Sequence, residues 1–255
     1  MYRLTDTVKH LLIINVLMFV GKLTIGANFS ANDFMFDHLF ALHYPQSDMF
    51  KPWQLFTHMF MHGDIMHIFF NMFALWMFGT AVEQRFGGKK FLFFYISCGL
   101  GAALIMLGYY FARYMPLEQS FFDLGFTKEQ ILQMFADRKG FDGISASQLE
   151  NLQNMYNIYN SSMLGASGAI MGVLVAFGML YPEAKLMLIF LPIPIKAKYF
   201  IPGIIILDLI SAITGQSFFS PGNTAYVAHI GGALTGFLIM WYWKKTQFNK
   251  NRWDL

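Results

Sequence analysis

Long apolar runs separated by shorter polar segments dominate the chain. An apolar run of roughly 17–25 residues can cross the hydrocarbon core of a bilayer as one α-helix. Six candidate runs lie at about 10–26, 58–79, 91–112, 164–181, 198–214 and 226–243. The pattern therefore predicts an all-α membrane protein with six transmembrane helices.

Residues 113–163 form a long polar stretch between the third and fourth runs. Thr127, followed three residues later by Gln130, is an N-cap signature that precedes an amphipathic segment. A second amphipathic segment covers 147–159. We expect an extramembrane helical insert on the outer face of a single membrane domain that covers 1–255.

Basic residues predict the orientation of the bundle. The first run lacks a convincing cleavage site, so we expect it to be a retained helix rather than a signal peptide. An N-terminus on the inner side then places twelve of the eighteen Lys and Arg residues there, Arg3, Lys250 and Arg252 among them. We expect a multi-pass protein of the plasma membrane, in bacteria the inner membrane, with both termini in the cytoplasm.

The composition agrees with a bilayer protein and excludes other classes. Hydrophobic residues make up 56% of the chain and charged residues 13%, against about 25% charged residues in soluble domains. The net charge is only +3 and basic runs do not exceed two residues, so nucleic-acid binding is not expected. A single cysteine, Cys98, excludes an internal disulfide framework.

Polar side chains inside apolar runs are costly, and they therefore indicate a functional site. His67 and Asn71 lie four residues apart on one face of the second run. The fourth run opens with the motif GASG around Ser167, and the sixth contains AHIGG around His229. Serine and histidine are the residue types of a hydroxyl nucleophile and its general base.

Small residues predict that these two motifs meet. Gly168 and Gly172 follow the serine, and Gly232 and Gly236 follow the histidine, each pair with the four-residue spacing that lets membrane helices approach closely. If the two glycine faces pack together, the hydroxyl and the imidazole arrive at the same depth. The histidine could then activate the serine for attack on a carbonyl.

Acyl transfer also needs donors for the oxyanion that develops during attack. The backbone N–H of Ser167, near a helix N-terminus, and the side chains of His67 and Asn71 are candidates. Asp208 in the fifth run could complete a triad with His229, although capping or pairing within the bundle is the favoured interpretation from sequence.

The arrangement resembles the rhomboid family of intramembrane serine proteases over roughly residues 50–243. The residues that carry the resemblance are Trp53, His58, His62, the segments 67–71 and 79–87, the motifs around Ser167 and His229, and Gly236. It implies a six-helix rhomboid-like bundle and a serine endopeptidase with a Ser167–His229 dyad in a cavity that opens outward. His67 and Asn71 would help to hold the oxyanion.

The resemblance also implies partners and supporting residues. Substrates would be single-pass membrane proteins, cut in or near the transmembrane segment within the lipid bilayer, without a cofactor. Glu83 and Arg85 would be structural, in the loop between the second and third helices. Two positions depart from the family pattern: Gln54 stands where an arginine commonly follows the tryptophan, and Met171 stands where an aromatic ring is usual.

Other functions fit the residues less well. A catalytically weak or dead rhomboid-like scaffold that binds membrane clients would typically lose the serine or the histidine, and both are present. A metal site built on His58, His62 and His67 lacks the HExxH pattern, so no metal is expected. A transporter would be expected to show internal repeats, and an aspartyl protease needs two buried acids where only Asp208 is available.

Overall fold

The computed structural model describes residues 4–27, 35–188, 191–214 and 225–248. Arg3, Lys250 and Arg252, which entered the charge count, lie outside the described residues. The α-helices are α1 (Asp6–Ala27), α2 (Met35–Phe40), α3 (Gln54–Thr57), α4 (Ile65–Ala74), α5 (Thr80–Phe86), α6 (Gly88–Phe122), α7 (Lys128–Asp137), α8 (Ala146–Tyr159), α9 (Ser167–Leu180), α10 (Ala197–Thr214) and α11 (Ala225–Trp243). The strands pair antiparallel, β1 (Leu42–His43) with β2 (Ser162–Met163) and β3 (Lys185–Leu188) with β4 (Leu191–Lys196).

Several of these helices suit a bilayer. Among the described residues, four helical stretches are long and apolar enough to cross it: Asp6–Thr24, Ile65–Phe86, Gly88–Phe122 and Ala197–Thr214. Helix α11 has 19 residues and α9 only 14. The predicted all-α membrane fold is confirmed, while the presence of six transmembrane helices stays a prediction.

The second membrane helix begins later than the apolar run suggested. His58 lies in a 3-10 turn after α3, His62 lies in the following loop, and α4 starts at Ile65. Asp64 sets this start because its side chain accepts a hydrogen bond of 2.8 Å from the backbone N–H of His67. A π-helical turn, Leu75–Gly79, then carries α4 into α5. The predicted span of 58–79 therefore began and ended too early, since the helical stretch covers Ile65–Phe86. Mean hydropathy detects neither the N-cap at Asp64 nor the π-helical turn that continues the helix beyond Gly79.

Helix α9 lies at the centre of the bundle. Every residue from Gly168 to Ala176 is buried, and the helix packs against α6, α10 and α11. By contrast, α1 leaves large apolar side chains such as Leu17 and Leu23 exposed. This is the distribution expected when outer helices face lipid and a central helix faces protein.

Helices α7 and α8 form a hairpin within the predicted insert. Each begins with a capping box, Thr127 with Gln130 and Ser145 with Gln148. Their buried side chains join an apolar cluster with the last turns of α6. Because α6 continues to Phe122, the hairpin starts after that residue rather than at 113.

Glu83 attaches α5 to the beginning of α1. Its carboxylate accepts hydrogen bonds from Thr5 Oγ1 at 2.6 Å, from the backbone N–H of Thr7 at 3.0 Å and from that of Val8 at 2.8 Å. The first N–H groups of a helix lack partners within the helix, so a buried acceptor there is stabilising. The resemblance implied a role for Glu83 in the loop between the second and third helices, whereas these hydrogen bonds join its carboxylate to the start of α1. Arg85 lies exposed in the last turn of α5.

Candidate active site

Helices α9 and α11 approach until their main chains touch. A Cβ added at Gly232 would overlap the carbonyl oxygen of Gly168, and one added at Gly236 would lie 2.7 Å from the Cα of Gly172. A Cβ at Gly168 would lie 3.5 Å from the carbonyl oxygen of Ala228. The residue after Ser167 therefore lies close to the residue before His229.

Ser167 is the half-buried first residue of α9, and the glycine two residues before it has unusual backbone geometry. Gly165 has φ +126°, and a Cβ there would lie 2.9 Å from His67 Nε2 and 3.5 Å from Ser167 Oγ. The serine hydroxyl and the imidazole of His67 thus lie over the same glycine. A side chain at this position would strain the backbone and displace the imidazole.

The loop before Ser167 is attached to the segment 35–60 by backbone hydrogen bonds. Strand β2 pairs with β1, and the N–H of Gly165 donates to the carbonyl oxygen of His58 at 2.9 Å. The His58 ring is buried, and its Nδ1 lies 2.8 Å from the carbonyl oxygen of Gln54. Burial lowers the pKa of His58 to about 4, so the ring is neutral and donates from Nδ1.

Gln54 replaces the arginine that the family pattern led us to expect, and its amide is fully used. The Oε1 atom accepts from the N–H of Lys51 at 3.0 Å and of His43 at 3.4 Å. The Nε2 atom donates to the carbonyl oxygens of His38 at 2.7 Å and Met49 at 2.9 Å. A neutral amide here holds together the segment that supports the serine loop.

His229 pairs with Asp208 of α10. The Nδ1 atom of the ring lies 3.1 Å from Asp208 Oδ2, with the two side chains 17% and 11% exposed. Within the described part of the chain, the other ring nitrogen, Nε2, is buried and has no hydrogen-bond partner, so it is not hydrogen-bonded to Ser167. The acid is visible in the sequence as a polar residue inside an apolar run, but its depth relative to the histidine is set only by the packing of α10 against α11.

The two predicted oxyanion residues occupy consecutive turns of α4. Asn71 is buried, and its Nδ2 donates to the carbonyl oxygen of His67 at 3.0 Å, which leaves its second N–H for another acceptor. The Nδ1 atom of His67 accepts a long hydrogen bond of 3.4 Å from the N–H of Gly63. A ring that accepts at Nδ1 carries its proton on Nε2, the nitrogen that faces Gly165.

His62 packs beside His67, with ring centroids 5.1 Å apart. Burial lowers the pKa of His62 to about 3, with smaller contributions from the neighbouring His67 and from Lys22. The ring is therefore neutral at physiological pH. Within the described ranges, no group of three or more His, Cys, Asp or Glu side chains is placed to hold a metal ion.

The sequence matches the Rhomboid domain family over residues 50–128 and 139–246. The chain belongs to the rhomboid family. Its relatives include "Rhomboid protein 1, mitochondrial" of Saccharomyces cerevisiae, 27% identical over 73% of this chain and 40% of that protein. "Presenilin-associated rhomboid-like protein A, mitochondrial" of Danio rerio is 29% identical over 72% of this chain and 34% of that protein. "RHOMBOID-like protein 12, mitochondrial" of Arabidopsis thaliana is 28% identical over 89% of this chain and 55% of that protein.

These comparisons correct one expectation about the rhomboid chain. The relatives are named as mitochondrial proteins, which contradicts the expected location in a plasma or bacterial inner membrane with cytoplasmic termini. The count of basic residues failed here because it compares the two sides of a bilayer and does not identify which membrane it is. The chain also spans only about half of these relatives' length, or less.

Proposed function

We propose that this rhomboid protein is a serine endopeptidase that cleaves membrane proteins inside the bilayer. Rhomboid proteins are generally intramembrane serine proteases that act on membrane-protein substrates. The observation that carries the proposal is the glycine contact between α9 and α11, because it brings the residues next to Ser167 and His229 together. Ser167 is the nucleophile in this proposal and His229 is the general base.

The length of α9 supports a reaction below the membrane surface. Its 14 residues rise about 21 Å, whereas the hydrocarbon core is about 30 Å thick. A helix that ends near one surface therefore begins at a depth inside the bilayer. Ser167 is its first residue, so the scissile peptide bond would be presented within the membrane.

The first half of the reaction forms an acyl-enzyme. Ser167 Oγ bonds to the substrate carbonyl carbon while its proton moves to His229 Nε2, and the carbonyl oxygen becomes an oxyanion. The N–H of Ser167, the Nε2–H of His67 and the free N–H of Asn71 donate to that oxyanion. When the C–N bond breaks, the proton on Nε2 passes to the leaving amine.

The second half uses water in the same way. Water attacks the acyl carbon, gives one proton to His229 Nε2, and the C–Oγ bond breaks to release the new carboxyl end. The proton then returns from Nε2 to Ser167 Oγ, which restores the starting state. No electron transfer or co-substrate beyond water is needed.

Reconstitution in liposomes with a single-pass model substrate tests this function. Ser167→Ala and His229→Ala should each abolish cleavage. Ser167→Ala should leave the melting temperature near wild type because it removes only a small hydroxyl, whereas His229→Ala should lower it because buried Asp208 loses its partner. A fluorophosphonate should label the wild-type protein but not Ser167→Ala. Exposed Ser147 of α8 offers a control, and Ser147→Ala should cleave normally.

The possible outcomes separate the protease from the scaffold. Cleavage by Ser167→Ala above background would exclude the serine mechanism. If the wild-type protein captured the client without cutting it, and Ser167→Ala captured it equally, the inactive scaffold would be the better description. Activity should also survive chelation by EDTA, since no metal takes part in the proposed chemistry.

A further inference from the structure

Asp208 is a buried acid inside the fifth apolar run, and it contacts a residue of the proposed dyad. Only 8% of Asp208 is exposed, and its Oδ2 lies 3.1 Å from His229 Nδ1. An ionisable residue at such a position is costly and is usually retained for function. We propose that Asp208 positions His229 as the general base, so that this chain works with a Ser–His–Asp arrangement. The inference rests on the proposed protease function.

The proposed reaction requires one of two possible proton arrangements of the Asp208–His229 pair. If the carboxylate is ionised, it can only accept, so the imidazole proton lies on Nδ1 and the lone pair lies on Nε2. If instead Asp208 held the proton and donated to Nδ1, the neutral ring would carry its own proton on Nε2. A ring of that second form cannot take the proton of the serine.

The surroundings of the ring agree with the first arrangement. His229 Nε2 is buried and has no partner within the described part of the chain, so no acceptor is placed there to favour a proton on this nitrogen. The imidazolium that forms during attack keeps its proton on Nδ1, beside the carboxylate. Attraction between the two is strong because little water surrounds either group.

A neighbouring polar residue on α10 provides a matched control. Ser211 lies one turn after Asp208 and is also buried, at 3% exposed, but its Oγ donates to the carbonyl oxygen of Leu207 at 2.9 Å. Its hydrogen bond stays within its own helix, so it does not orient the histidine. Ser211→Ala removes a buried polar group from α10 without changing the environment of His229.

Kinetics of Asp208→Asn, Asp208→Glu and Ser211→Ala test the inference. Asp208→Asn keeps the shape but loses the charge, so we expect kcat to fall roughly 100- to 10,000-fold with KM changed less than about threefold. Asp208→Glu retains a carboxylate and should recover part of the activity. Ser211→Ala should keep the wild-type kcat, and all three should melt within a few degrees of wild type.

Nitrogen-15 NMR of histidine-labelled protein supplies a readout that a purely structural role would not move. Wild-type His229, assigned by comparison with His229→Ala, should show a protonated Nδ1 and an unprotonated Nε2. In Asp208→Asn the proton should shift toward Nε2. The same spectrum can be recorded on Ser167→Ala, so the Asp208–His229 pair is examined independently of catalysis.

Two results would overturn the inference. One is a wild-type kcat in Asp208→Asn. The other is an Asp208→Asn variant that loses kcat and melts at a lower temperature while the His229 tautomer stays unchanged. Asp208 would then only hold α10 against α11. Cleavage by Ser167→Ala would instead refute the proposed function and leave the tautomer result standing.

Discussion

Gly232 of α11 lies against Gly168 of α9 so closely that a Cβ on the first would overlap the carbonyl oxygen of the second. This contact lies one residue from Ser167 and three residues from His229. It therefore sets both the separation and the relative height of the two side chains in the proposed mechanism. Direct main-chain contact of this kind is the known consequence of small residues spaced four apart in membrane helices.

The first prediction is that Gly232→Ala inactivates the protein and lowers its melting temperature. Even a methyl group must push the helices apart, and overpacking costs about 1–3 kcal/mol. A displacement of about 1 Å in the reacting groups can reduce a rate roughly 100-fold. Cleavage assays and thermal melts check both effects.

Gly108 of α6 is the matched control for that substitution. A Cβ at this position meets no atom within 4 Å, and Ala in a helix interior is favoured over Gly by roughly 0.5–1 kcal/mol. Gly108→Ala should therefore cleave at the wild-type rate and melt at the same temperature or slightly higher. A wild-type rate in Gly232→Ala would mean that the glycine contact does not set the site geometry.

The second prediction concerns the oxyanion donors. Asn71→Ala should reduce kcat roughly 10- to 1000-fold with KM little changed, the range for losing one side-chain donor. Asn71→Asp keeps the shape but removes both N–H groups, and it should be impaired as well. Steady-state kinetics check this, and a wild-type kcat in both variants would assign Asn71 to the scaffold alone.

The third prediction is that Glu83→Gln destabilises the protein without changing its chemistry. The glutamine side chain would place an N–H group beside the hydroxyl and backbone N–H donors at the start of α1 that now bond to the Glu83 carboxylate. A buried donor left without an acceptor costs about 1–3 kcal/mol. A lower melting temperature with an unaltered kcat well below the melt is the expected result. The exposed Glu150 of α8 is the control, because Glu150→Gln should change neither quantity.

The fourth prediction follows from the neutral buried histidines. Burial lowers the pKa of His58 to about 4 and that of His62 to about 3, against about 6.5 in an unfolded chain. Below pH 6.5 these two rings become protonated in the unfolded chain but stay neutral in the folded chain. The free energy of unfolding therefore falls as the pH decreases toward 4, by up to about 1.4 kcal/mol per pH unit for each ring. Melting temperatures across this range should show the decline.

Removing one of these rings should weaken the pH dependence. Glutamine can still donate to the carbonyl oxygen of Gln54 but does not titrate, so His58→Gln should lower the melting temperature at neutral pH and flatten its decline at acidic pH. Combining it with His62→Gln should flatten the decline further. An unchanged slope in the double variant would assign the acid sensitivity to other groups.

The sequence by itself determined the family, the all-α membrane fold and most of the residues near the proposed site. Apolar runs reveal membrane helices because a helix needs about 20 consecutive apolar residues to cross a bilayer, and this requirement does not depend on how the helices pack together. Glycine spacing on α9 and α11 likewise predicted a close helix contact, since close approach requires the absence of side chains.

Only the tertiary structure decided how the helices are rotated and at which depth their polar groups meet. Asp208 and His229 lie on different helices, and no local pattern relates the height of one to that of the other. The attachment of Glu83 to α1 likewise joins residues that are distant along the chain. Apolar patterning fixes only that a segment spans, whereas side-chain packing between neighbouring helices fixes its rotation and register, and thereby which polar groups become partners.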